Sequence, residues 1–260
     1  MTKIAVFDAK PYDRASFDAA NAGRYEFRYF ETRLTAASVP LAEGCAGVCA
    51  FVNDAVDAAT VEGLVARGVK VLALRCAGYN NVDFKAAFEK GLTVVRVPAY
   101  SPYAVAEHAM ALLMTLNRHL HKAAARTRDF NFSLVGLTGM DLHGKTAGVV
   151  GTGKIGRIFC DICKGLGMRV LAYDAFPNPA SGLAYVTLDH LLAEADVVSL
   201  HCPLTPETHH LFNAETIGKM KPGAFLVNTS RGGLVESDAL LDALRSGHLG
   251  GAGLDVYEEE

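Results

Sequence analysis

Three groups of residues in this chain have the types and the spacing to do chemistry. The tightest is Gly151-Thr152-Gly153-Lys154-Ile155-Gly156, a G-x-G-x-x-G turn, with Asp174 downstream. By itself such a turn is only a bend, so its setting decides how it is read. The apolar run Ala147-Gly148-Val149-Val150 leads in as a strand. A helix over 154–165 leads out, with Ile158, Phe159 and Ile162 on one face. In that setting Gly151 permits the sharp turn, Gly153 lets backbone amides approach a pyrophosphate, and Gly156 lets the helix pack close to its strand. The helix N-terminus adds partial positive charge. Asp174 ends the next strand, where a carboxylate accepts hydrogen bonds from adenosine ribose hydroxyls. It would repel a 2′-phosphate, and Ala175-Phe176-Pro177 offers no arginine to receive one. The pattern therefore points to NAD rather than NADP.

The second group, Leu74-Arg75-Cys76-Ala77-Gly78-Tyr79-Asn80-Asn81-Val82-Asp83, follows a strand and sets backbone amides at the edge where parallel sheets bind ligands. It reads as a nest for a carboxylate, or equally as a strand-to-helix turn capped by Asn81 or Asp83. In the third, Val227-Asn228-Thr229-Ser230-Arg231-Gly232-Gly233, an arginine stands at a similar strand end. Its planar fork can bind a carboxylate two-pronged and donate to a ketone oxygen. The structural alternative pairs it with Asp255 or with a helix end.

The elements that must position these groups alternate between β-branched runs and helical periodicity, the pattern of parallel α/β sheets. Strands are expected over 3–8, 25–30, 47–52, 69–76 and 92–97, with helices between them such as 56–66 and 84–90. Pro98-Ala99-Tyr100-Ser101-Pro102 then breaks the pattern. A long helix over 102–126 follows, with Val105, Ala109, Leu112, Leu113 and Leu116 on one face, as a hinge between domains. Five further strands are expected over 146–151, 169–174, 196–200, 224–228 and 250–255. The glycine turn lies far from the N-terminus, so the first domain has another task, and holding substrate is the obvious one.

Composition narrows the field. The chain has 260 residues, half of them hydrophobic, and a net charge of -3. That gives no electrostatic footprint for nucleic acid or an anionic membrane. No targeting segment or membrane span is read, which suggests a cytoplasmic protein acting on a small molecule. Six cysteines at irregular spacing suit reduced, buried thiols. Cys160 and Cys163 form a CxxC without a second Cys or His pair, so no metal site is expected.

Several of these stretches in combination resemble the D-isomer-specific 2-hydroxyacid dehydrogenases. They are 74–83, Arg96-Val97-Pro98-Ala99-Tyr100-Ser101-Pro102, Ala104-Val105-Ala106-Glu107-His108, 148–156, Leu200-His201-Cys202-Pro203-Leu204-Thr205-Pro206-Glu207, 227–232 and Leu254-Asp255-Val256-Tyr257-Glu258-Glu259-Glu260. With Thr127-Arg128-Asp129-Phe130-Asn131-Phe132-Ser133-Leu134 they are most similar to the bacterial fermentative D-lactate dehydrogenases within that family.

The resemblance implies an α/β fold of two doubly wound parallel-sheet domains with a cleft between them. A flavodoxin-like substrate domain is expected over 1–99 and a Rossmann domain over 100–260. The resemblance also implies that the amides of Ala77 and Gly78 hold a substrate carboxylate, with Tyr100 nearby, and that Arg231 binds and polarises a 2-keto acid. Gly151, Gly153, Lys154, Ile155, Gly156, Asp174, His201, Cys202, Pro203, Thr208, Thr229 and Asp255 would surround NAD. Glu260 matches a catalytic glutamate that supports a histidine general acid, expected beyond it. Because only five strands are counted in the second part where this fold has six, the chain is expected to stop short of its last strand and of a complete active site.

Pyruvate and D-lactate are the expected substrates, since Phe51, Tyr79 and Tyr100 leave modest room. Hydroxypyruvate, glyoxylate or a bulkier 2-keto acid are alternatives, because a methylene or two changes selectivity by only about 1–3 kcal/mol. An NAD-sensing binding module, as in corepressors that resemble these enzymes, is a further one. A homodimer or homotetramer is implied, through the helix after residue 102.

Overall fold

No two successive strands of this chain are joined by a tight hairpin; each passes through a helix or a long loop before the next begins, and every strand pairing among the described residues is parallel. The structure is a computed structural model describing residues 1–258. It divides into two compact units, Met1–Tyr100 and Ser101–Glu260.

The first unit runs β1 (Thr2–Val6), α1 (Pro11–Asn21), β2 (Tyr25–Tyr29), β3 (Gly47–Ala50), α2 (Ala58–Ala66), β4 (Val71–Leu74), α3 (Phe84–Glu89) and β5 (Thr93–Arg96). Its sheet order is β2-β1-β3-β4-β5, the flavodoxin-like doubly wound order. Helix starts follow local chemistry: the carboxylates of Asp57 and Asp83 accept the amides of Thr60 and Ala86 and cap α2 and α3. Phe7, Leu34, Val39, Leu64 and Leu72 are fully enclosed in its core.

The second unit runs α4 (Pro102–Asn117), α5 (Leu120–Arg128), β6 (Thr146–Val150), α6 (Lys154–Gly165), β7 (Arg169–Tyr173), β8 (Ala184–Tyr185), α7 (Leu188–Glu194), β9 (Val197–Leu200), α8 (Ala214–Gly218), β10 (Ala224–Asn228), α9 (Ser237–Arg245) and β11 (Leu249–Leu254). The sheet order β11-β10-β9-β6-β7-β8 is the six-stranded dinucleotide-binding order. The expected five strands and a missing last strand are therefore corrected. The uncounted strand is Ala184–Tyr185, two residues after a left-handed Gly182 and too short to show alternation.

The expected single helix over 102–126 is corrected too. It is two helices, separated by Arg118 and by His119, whose φ of 50° ends the regular backbone. The first keeps its apolar face, with Ala109 and Leu113 buried. β11 meets it through glycines: a Cβ on Gly251 would meet Leu116 at 2.6 Å and one on Gly253 would meet Leu112 at 3.1 Å. Removing those side chains lets the helix sit close to the sheet. After α5, Phe130, Phe132, Leu134 and Val135 are all exposed. Among the described residues no helix is long and apolar enough to cross a membrane.

Candidate active site

In the second unit the sheet reverses direction of growth between β6 and β9, and ligands bind such sheets at the carboxyl ends of the strands there. The glycine turn occupies that place. Gly151 has a φ of 91°, and a Cβ on it would meet the Cys202 amide nitrogen at 2.5 Å. A Cβ on Gly156 would overlap the Gly151 carbonyl oxygen. Only glycine lets turn, helix and the loop after β9 pass this closely. Gly153 is the opposite case, with open space where its side chain would be. α6 starts there without a side-chain cap or an acidic residue in its first turn, with Lys154 exposed and Ile155 half-buried. Its first amides are left for an anion.

Asp174 is built into this turn. One carboxylate oxygen accepts the Thr152 amide at 2.6 Å and the Thr152 hydroxyl at 2.7 Å, and the other accepts the Phe176 amide at 2.9 Å. Burial pushes its pKa up, but these hydrogen bonds outweigh it and hold the group below the usual carboxylate value. The Tyr185 hydroxyl, 2.9 Å from that of Thr152, extends the chain of contacts. Sequence reasoning missed both Thr152, which occupies a variable position of the motif, and Tyr185, which lies on the unread strand.

The other expected cofactor neighbours gather at the same edge. The His201 ring packs against Phe159 and lies 2.9 Å from the Ser199 hydroxyl. Burial lowers its pKa to about 4, so it is neutral at physiological pH. Cys202 accepts the Ser230 hydroxyl on its carbonyl at 2.6 Å, joining the loops after β9 and β10. Pro203 is exposed, and Thr208 donates to its carbonyl at 2.7 Å, a bond that holds the loop. Thr229 is buried, and its hydroxyl has no partner among the described residues. An orphaned buried hydroxyl, an open uncapped helix start and a carboxylate on the next strand fit a dinucleotide.

Arg231 stands just beyond β10. Its guanidinium donates to the Ser230 carbonyl at 2.7 Å, and no carboxylate of the described residues pairs with it. The alternative pairing with Asp255 is overturned, since Asp255 faces His108 at 3.2 Å. The next residue, Gly232, lies flat on the Tyr257–Glu258 peptide, where a Cβ would overlap the Tyr257 carbonyl. Glu258 anchors that peptide. Its carboxylate accepts the Ser237 hydroxyl at 2.6 Å, the Ser237 amide at 3.0 Å and the His210 ring. Those bonds lower its pKa to about 2. His209 and His210 stack at 3.9 Å beside it, a grouping of possible metal ligands that the spacing did not suggest. Glu260 lies outside the described residues. Cys160 and Cys163 are buried, and burial pushes both thiols up to about 12.

In the first unit the corresponding edge lies at the ends of β1, β3 and β4. Arg75 ties them. It donates to the carbonyls of Phe7 at 2.9 Å and Asp8 at 2.7 Å, pairs with the largely buried Asp13 at 3.3 Å and covers the Phe51 ring. Asn81 donates to the carbonyls of Phe51 and Asp54, and Asp83 caps α3. The stretch is a capped turn, and within it the half-buried amides of Ala77 and Gly78 have no partner among the described residues. Tyr100, at the end of the unit, is 68% exposed, and Tyr79 is 47% exposed. Tyr79 lines a cavity of about 260 Å³ with Phe84, Val94, Val95 and Arg96.

Residues 110–260 match the model of the D-isomer specific 2-hydroxyacid dehydrogenase NAD-binding domain. Over 99% of the chain and 79% of its own length, the 2-hydroxyacid dehydrogenase homolog of Haemophilus influenzae is 53% identical. Among solved structures, apo D-lactate dehydrogenase from Escherichia coli is 52% identical with a TM-score of 0.92, covering 100% of this chain and 83% of that one. D-lactate dehydrogenase from Aquifex aeolicus, complexed with NAD and lactic acid, is 33% identical with a TM-score of 0.88 over 98% and 77%.

Proposed function

This chain belongs to the D-isomer specific 2-hydroxyacid dehydrogenase family, and from that membership we propose that it interconverts pyruvate and D-lactate using NADH and NAD. The observation that carries the reading is the Arg231 guanidinium, engaged by no carboxylate of the described residues at the strand edge that also carries the glycine turn. Pyruvate is chosen among 2-keto acids because the E. coli and Aquifex relatives bear the name D-lactate dehydrogenase, the latter with lactic acid bound.

The first unit is the substrate domain and the second the cofactor domain. The Ala77 and Gly78 amides hold the substrate carboxylate, as two adjacent N–H groups can. Arg231 grips the 2-keto acid and draws electron density toward the ketone oxygen, which becomes the alkoxide. The amides at the start of α6 hold the pyrophosphate, Asp174 the adenosine ribose, and the edge formed by His201, Cys202, Thr229 and Asp255 the remainder. NAD, when bound, supplies the hydride donor or acceptor. His201, neutral and packed on Phe159, forms part of the cofactor edge. Glu260 remains the candidate to support the proton donor.

The protein is cytoplasmic and forms homo-oligomers. The exposed Phe130, Phe132, Leu134 and Val135 following α5 support a dimer that covers them.

The test is the loss of NADH absorbance with pyruvate, hydroxypyruvate, glyoxylate and a branched 2-keto acid, with chiral analysis of the product. D-lactate with pyruvate preferred is the expected result. Preference for another 2-keto acid would replace the substrate while keeping the reaction. NADH binding without oxidation by any of them would favour a sensing module.

A further inference from the structure

Arg96 closes the first unit's edge strand. β4 and β5 pair in register Leu74↔Arg96, so the Arg96 side chain leaves the sheet beside the point where the chain enters the Ala77-Gly78 turn. Its guanidinium donates to the Ala77 carbonyl at 2.7 Å and lies 4.9 Å from the centre of the Tyr79 ring. It has no carboxylate partner among the described residues.

The peptide joining Ala77 to Gly78 is planar and trans, so its C=O and N–H point in opposite directions. Gripping the Ala77 oxygen therefore fixes the direction in which the Gly78 N–H points. A donor on the carbonyl also polarises the peptide and makes that N–H a better donor. Tyr79 completes the hold, since the ring under the guanidinium belongs to the next residue, and its other neighbour is Phe84 of α3 in a T-shaped contact at 5.5 Å. Without Arg96, nothing else bonds the Ala77 carbonyl among the described residues; the Cys76 thiol holds only the following carbonyl, that of Gly78, at 3.3 Å.

We propose that Arg96 is a positioning residue that aims the Gly78 amide at the substrate carboxylate and so sets affinity for the anionic end of the 2-keto acid. This rests on the nest reading above. Arg96 touches no reacting atom, so its effect falls on substrate binding and not on hydride transfer.

The test is steady-state reduction of pyruvate and of methyl pyruvate, the same ketone without the anion, by wild type, Arg96→Ala and Arg96→Lys. Arg96→Ala should raise KM for pyruvate about tenfold, the scale for losing a charge-assisted hydrogen bond. Its kcat, NADH affinity and melting temperature should be little changed, as should KM for methyl pyruvate. Arg96→Lys keeps a donor for the Ala77 oxygen and should recover part of the loss. An unchanged KM for pyruvate in Arg96→Ala overturns the proposal, and so does a parallel rise for both ketones or a fall in melting temperature with kcat. A wild type that handles both ketones equally overturns the nest reading itself, whatever Arg96 does.

Discussion

Replacing Asp174 with alanine removes the acceptor of three hydrogen bonds at once. The three donors fare differently. Phe176 is exposed, so water takes over its amide at little cost. The Thr152 hydroxyl keeps Tyr185 at 2.9 Å. The Thr152 amide belongs to a residue only 8% exposed and is left without an acceptor. An orphaned buried donor costs about 1–3 kcal/mol, and losing the charge-assisted bond to the hydroxyl adds about 1 kcal/mol. Destabilisation of about 2–4 kcal/mol follows, on the order of 5–15 °C in the melting temperature of a unit this size. Asp174→Asn retains one acceptor oxygen and should lose roughly half as much. NAD affinity should fall in both variants and the margin over NADP should narrow, since the charge that opposes a 2′-phosphate is gone. Calorimetry and fluorescence titration with NADH and NADPH read the two effects separately. If Asp174→Ala melts with the wild type while NADH affinity falls, the turn does not depend on the carboxylate and the argument from Thr152 is wrong. Wild type binding NADPH as tightly as NADH would refute the electrostatic argument.

Arg231→Lys keeps the charge and loses the fork, so pyruvate turnover should fall by at least about a hundredfold; NADH affinity by fluorescence should change little, and equal loss of both would make Arg231 structural. Gly156→Ala drives a methyl group into the Gly151 carbonyl, so soluble yield and NADH binding should both drop sharply, and wild-type binding would show that the turn can relax. Glu258 is held at about 2 against 4.5 when free, by Ser237 and His210. Its contribution is complete above pH 4.5 and is lost as the pH falls toward 2, worth about 1 kcal/mol after solvent screening. The melting temperatures of wild type and Glu258→Gln should therefore differ at neutral pH and converge in acid; a gap that persists at the lowest pH would assign the difference to packing.

Where the sequence pattern was strong, it located elements closely. The helix over 154–165 and the strand over 224–228 coincide with α6 and β10, because a glycine turn and a polar strand end mark their limits. Strand 69–76 shrinks at both ends to Val71–Leu74, because Val69 and Cys76 are buried in the core without belonging to the paired stretch. The break at His119 left no trace, since no glycine or proline announces a left-handed residue there. At the site, the glycine turn and Arg231 were legible as motifs. Side-chain partners were not: that His108 rather than Arg231 faces Asp255, and that Thr152 holds Asp174, depends on distances that spacing along the chain does not encode.

The reach of Arg75 has a consequence for how the first unit comes together. Its two bonds to the Phe7 and Asp8 carbonyls span 68 and 67 positions of chain. Closing a loop of that size costs roughly 4 kcal/mol of chain entropy before any contact is gained. No local segment around Ala77 and Gly78 can offset it, because the acceptors arrive with the N-terminal strand. Helices and single turns form early and cheaply, while long-range parallel pairings come late. The turn at Ala77 and Gly78 is therefore a late product of folding: a chain with most of its helix in place would still lack the geometry proposed to hold substrate.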